Sequence, residues 1–126
     1  MRQLTSHKVN GLNEALTITV EDEPAGQGNA CHEYAIALEE GQKANDPHQC
    51  QRIRFQNGPI QEAGMNGISN EALLAVVEDR LLGFQSGEFS CRENALALTK
   101  LQEAMMWLLK RTRDRVARGV EGTNRK

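Results

Sequence analysis

Apolar residues recur at two different periods along this 126-residue chain. In the first half the period is two. Leu16, Ile18 and Val20 alternate with Thr17 and Thr19, the alternation of a strand that buries one face. Tyr34, Ile36 and Leu38 repeat it, and Ile53 and Phe55 do so again with Arg52 and Arg54 opposite. The strand signal reaches back to Glu14, and Gln3–Val9 is a weaker candidate. Turn formers separate these runs: Asn10-Gly11, the stretch from Glu23 to Asn29, and Asn45-Asp46-Pro47. Sequential strands with short links predict an antiparallel sheet.

Beyond residue 68 the period becomes three and four. Leu73, Leu74, Val77, Leu81 and Phe84 lie on helical spacing behind a cap at Ser69 or Asn70, with Glu71 in the first turn. The stretch Gln85–Phe89 breaks the pattern. Ser90 and Glu93 then have capping-box spacing, which predicts a second helix running to about Arg118 and stopping at Gly119. Residues 57–68 contain three glycines and a proline and read as a loop. The expectation is one α+β domain: a small antiparallel β-sheet over 1–56, a linker over 57–68, and an antiparallel helical hairpin over 69–126.

Composition changes this picture in two respects. Three Phe, one Tyr and one Trp are few large side chains for a core, so association between chains is expected to supply missing burial. Formal net charge is only −2, which excludes a global basic field for nucleic acid or membrane. The charge is nevertheless uneven: Lys110, Arg111, Arg113, Arg115, Arg118, Arg125 and Lys126 face only Asp114 and Glu121 in the last stretch. No apolar run approaches the ~20 residues of a membrane span. Met1–Lys8 lacks the apolar core of a secretory signal, and Cys31, Cys50 and Cys91 are odd in number and far apart. Free thiols in a reducing cytosol are the expectation.

The candidate chemistry lies mainly in the hairpin. Arg111, Arg115 and Arg118 are spaced four and three, so they share a helical stripe. Guanidinium forks suit phosphate, but cations at a helix C-terminus also complement its dipole. Phe84 and Asn94 could stack on a base and read its edge, or close the hairpin core and face solvent respectively. Cys31, His32, His48 and Cys50 lack zinc-finger spacing, and neighbours in a strand point to opposite faces, which disfavours a metal site. The glycines around 58–67 match no phosphate-loop fingerprint. No catalytic group, metal or cofactor is expected. A hydrolase using His32 or His48 as base, and a helical module binding nucleic acid or protein through its arginine end, remain the alternatives.

Spacing constrains any shared ligand. Asn94 and Arg111 are seventeen residues apart on one helix, or roughly 25 Å at ~1.5 Å per residue. A small molecule that touches both ends must do so on two chains, which a two-fold pair of antiparallel hairpins would provide.

The run from Ser90 to Trp107, SCRENALALTKLQEAMMW, and that from Arg111 to Thr123, RTRDRVARGVEGT, resemble the helical hairpin domain shared by two phage sponge families. These are the anti-CBASS protein two and Thoeris anti-defence protein one families. The sheet and the Phe55–Gly67 linker resemble the Thoeris type. The resemblance implies a protein of the infected bacterial cytoplasm that sequesters a glycocyclic ADP-ribose immune signal without cleaving it. By that resemblance Phe84 would stack on adenine, Asn94 would bond its polar edges, and Arg111 and Arg115 would hold the diphosphate. It further implies homodimers or hexamers, and cyclic trinucleotides in a second pocket, for which the tip near Gln85–Glu88 is the expected place.

Overall fold

The computed structural model describes residues 1–9, 11–23, 27–39 and 50–125. His48 and the expected turns at Asn10 and Asn45-Asp46-Pro47 lie outside them. The chain divides into two compact units, Met1–Gly58 with Met65–Gly67, and Pro59–Gly64 with Ile68–Lys126.

The first unit is a four-stranded antiparallel sheet in the order of the sequence: β1 (Arg2–Leu4), β2 (Leu16–Val20), β3 (Glu33–Leu38) and β4 (Cys50–Arg54). The register sets Ile18 opposite Ile36, Val20 opposite Tyr34, and Tyr34 opposite Ile53. The period-two apolar positions therefore share one face. Val20 is fully buried on it, and Tyr34 meets Phe55 edge-on at 5.7 Å. The other face is polar and carries the pairs Arg52–Glu21 (2.6 Å) and Arg54–Glu33 (3.3 Å). The fold class read from the sequence, a sheet followed by helices, is the observed one.

Two local expectations need correction. Glu14 and Ala15 do not open β2; they belong to a short helix, α1 (Gly11–Ala15). Side chains from the preceding loop hold the junction: Lys8 Nζ donates to the Glu14 carbonyl (2.6 Å), and His7 Nε2 lies 2.7 Å from the Leu16 carbonyl. Nor is the linker without structure. Pro59 precedes a single helical turn, α2 (Ile60–Ala63), which Gly64 ends at positive φ. Asn66 then pins its strand-side end, accepting from the Asn57 N–H and donating to the Asn57 carbonyl, both at 2.8 Å. At Gly67 a Cβ would lie 2.4 Å from the Phe55 carbonyl carbon, so only glycine allows the two backbones this approach.

The second unit is built on α3 (Asn70–Gln85) and α4 (Arg92–Ala117). Ser69 caps α3, its side chain accepting from the Ala72 N–H at 3.1 Å. The cap of α4 is Cys91, not the expected Ser90. Cys91 has the extended backbone of an N-cap, and its Sγ accepts from the Asn94 N–H at 3.4 Å. Gln85 fixes this offset by clasping the Cys91 backbone at both ends: its Oε1 accepts from the N–H (3.0 Å) and its Nε2 donates to the carbonyl (3.2 Å). At the far end Gly119 adopts φ 72°. Its N–H donates to the Val116 carbonyl (3.0 Å), and that of Val120 donates to the Arg115 carbonyl (3.1 Å). This is the paired bonding of a Schellman cap, with Val120 as its buried apolar residue.

Candidate functional site

The two long helices meet along a heptad-like seam. On α4 the less exposed positions are Asn94, Leu98, Leu101, Met105, Leu108, Thr112 and Arg115, in alternating steps of four and three. On α3 they include Glu71, Leu74, Glu78, Leu81 and Gln85. Apolar side chains fill the middle of the seam and polar ones stand at its ends. Yet no residue of α3 is buried, and on α4 only Arg115 is.

At the tip, Phe84 is 41% exposed, with the Arg80 guanidinium carbon 5.6 Å from its ring centroid. Its ring keeps an open surface on the hairpin. Asn94 is half-buried; its backbone N–H is used by the cap, and its amide group makes no hydrogen bond among the described residues. The amide of Gln85 is bonded through both of its polar atoms to Cys91, so this residue of the expected second-pocket region holds the turn closed.

At the base, the arginine stripe separates into two environments. Arg111 is exposed, and its side chain makes no hydrogen bond or ion pair among the described residues. Arg115 is only 8% exposed. Its Nε donates to Glu121 Oε2 (2.9 Å), Nη1 to the Arg125 carbonyl (2.5 Å), and Nη2 to the carbonyls of Val120 (3.0 Å) and Thr123 (3.1 Å). Four of its five N–H donors hold the segment that follows α4. Gln61 of α2 ties the same segment: its N–H donates to the Gly122 carbonyl at 3.1 Å, and its side chain donates to that of Glu121 at 3.3 Å.

The outer face of this base forms an open depression of about 890 Å³. Trp107, Lys110, Arg111, Asp114 and Arg118 line it together with Arg115. Trp107 is 58% exposed there, and Lys110 pairs with Asp114 at 2.6 Å. The structure thus gathers Phe84 and Asn94 at the tip, and Arg111 and Arg115 at the base, with the length of α4 between them. The run Met105–Leu109 reads in the sequence as core or subunit interface, and Glu121 as one of two acids in the basic stretch; neither motif marks Trp107 as a wall of this depression or Glu121 as the partner of Arg115. The three-and-four spacing of Trp107, Arg111, Asp114 and Arg118 was the available signal for that face.

The remaining candidates lie in the sheet unit. Cys31 and Cys50 there are free, as is Cys91 at the α4 cap, and Cys50 is exposed at the edge strand. His32 is buried, its Nδ1 3.6 Å from Asp22 Oδ2 without a hydrogen bond. Asp22 instead accepts from the backbone N–H groups of His32 (2.6 Å) and Glu33 (3.0 Å). Burial pushes the Asp22 carboxyl up, but these two donors, together with its own backbone N–H and the neighbouring His32, outweigh it and hold the group below its ordinary value. Among the described residues no group of three His, Cys, Asp or Glu is arranged to hold a metal ion, and no helix is long and apolar enough to cross a membrane.

Comparison with known proteins bears on the hairpin most directly. The family model for the Acb2/Tad1 hairpin domain matches residues 46–113. The chain is also 60% identical over 74 residues to Thoeris anti-defense 1 of Bacillus phage SBSphiJ7, covering 59% of this chain and 52% of that protein. The chain therefore spans about half the length of the curated relative it matches.

Proposed function

The chain belongs to the Acb2/Tad1 hairpin family, and we propose that it is a phage anti-defence sponge that binds glycocyclic ADP-ribose and withholds it without cleaving it. The observation that carries this reading is the 60% identity to a protein named Thoeris anti-defense 1. The hairpin supplies chemistry suited to that ligand. Phe84 offers an open ring for the adenine, and Asn94 an unengaged amide for its edge. Arg111 offers an unpaired guanidinium for the diphosphate, and Arg115 adds its one remaining N–H beside it.

The two groups are roughly 25 Å apart along α4, so one pocket takes its tip from one chain and its base from a second. A two-fold pair of hairpins gives two such pockets, and in this reading ligand capture and homo-oligomerisation are one property. Higher assembly to hexamers, and a second pocket for cyclic trinucleotides, belong to the same proposal. Sequestration requires tight binding rather than turnover, which a pocket closed between two pre-formed hairpins favours.

Incubation of the nucleotide with excess protein, denaturation, and mass analysis of what is released test the reading. Intact nucleotide recovered in stoichiometric amount is the expected result. A linear product would establish a hydrolase, and absence of capture would remove the assigned ligand.

A further inference from the structure

Charge accounting at the base of the hairpin points to a residue that the sponge reading leaves out. Two cations of the depression are already neutralised within the chain: Lys110 by Asp114 at 2.6 Å, and Arg115 by Glu121 at 2.9 Å. Two are not. Arg111 and Arg118 are exposed, line the same depression, and make no side-chain hydrogen bond or ion pair among the described residues. They are seven residues apart, so they project from nearly the same side of α4, about 10 Å apart along its axis. Long arginine side chains can converge across that gap. A diphosphate linking two sugars carries about one negative charge on each phosphate, and forked guanidinium donors match such oxygens.

We propose that Arg118 is a second phosphate-binding residue of this chain, acting with Arg111 across the depression beside Trp107, and that Arg115 serves mainly as a positioning residue. The identity of the nucleotide rests on the sponge reading; the diphosphate-binding pair does not. The structure around Arg115 assigns its part. It ties residues 120–125 to the end of α4. The Schellman cap at Gly119 follows directly on Arg118, the C-cap residue. Arg115 thereby holds the backbone from which Arg118 projects, while its own charge is answered by Glu121. Trp107 gives the depression an apolar wall, and as the single tryptophan of the chain it reports on anything that enters.

The test uses the full chain and two probes, inorganic pyrophosphate and glycocyclic ADP-ribose, followed by Trp107 fluorescence and calorimetry. Arg118→Gln is expected to weaken pyrophosphate binding by about tenfold or more, the cost of one charge-assisted contact, and to flatten its salt dependence with no change in Tm. Arg118→Lys should recover part of the affinity, and Arg113→Gln, a cation outside the depression, should bind as the parent does. Arg115→Ala should lower Tm as well as affinity, which separates positioning from contact. Wild-type affinity for pyrophosphate in Arg118→Gln overturns the proposal, as does a parent chain that pyrophosphate leaves unchanged. Pyrophosphate binding that depends on Arg118, in a chain that ignores the cyclic nucleotide, supports this inference and defeats the sponge reading instead.

Discussion

Arg111 and Arg115 look equivalent in the sequence, one helical turn apart on a basic stripe, and the fold gives them opposite tasks. Arg115 is buried because the chain beyond α4 folds back over it, and a buried guanidinium persists only if its donors and charge are met. Arg115→Ala would leave Glu121 and three carbonyls without that donor, and should cost about 2–4 kcal/mol. A fall in Tm with faster amide exchange across residues 119–125 is the expected result; Arg111→Ala should leave both unchanged. The tail contacts were not legible beforehand, because they join Arg115 to main-chain carbonyls, which carry no residue signature. Asp22 makes a second single-residue case. Its folded value is depressed below the ordinary 3.8, so its contribution is full above that pH and is lost as pH falls through the lower folded value. Asp22→Ala should be less stable than the parent at neutral pH. The gap between their Tm values should close as pH is lowered below ~3.8, and a gap independent of pH would remove the carboxylate from the account.

At the level of elements, periodicity located what packing enforces and missed what single hydrogen bonds decide. The three-and-four spacing placed α3 and α4 because a seam must repeat in step with the helix. The cap of α4 was displaced by one residue, since Ser90 is the better capping type while the Gln85 clasp selects Cys91. The helices α1 and α2 escaped notice because a one-turn helix has too few residues to show a period. A sulfur acceptor at the cap is weaker than an oxygen. Cys91→Ser should therefore stabilise the hairpin, by about 0.5–1 kcal/mol, whereas Gln85→Ala should destabilise it. Denaturant titrations of the two variants check both signs. A Cys91→Ser chain less stable than the parent would show that the thiol's packing outweighs its role as acceptor.

Across the whole chain, the apolar surface that the helices generate exceeds what they cover. Val20 and Val120 are the buried apolar residues among those described, while Leu96, Met106, Leu109 and Val116 of α4 and Val76, Val77 and Leu82 of α3 stand exposed. Scattered exposed leucines need no explanation, but here the exposed residues outnumber the buried ones on the two longest elements. A helix with apolar residues around most of its circumference is one that packs on more than one side. The expectation drawn from scarce aromatics, that a second copy contributes burial, gains a specific location from this surface. Tm should rise with protein concentration, because association is linked to folding. Met106→Glu or Leu109→Glu should shift sedimentation toward the monomer and lower Tm. In the sponge reading, either substitution should also abolish ligand capture without touching Phe84, Asn94 or Arg111, since each pocket needs two chains. Full capture by a demonstrated monomer would break that link and overturn the assignment of tip and base to one pocket, since roughly 25 Å separates them within a single hairpin.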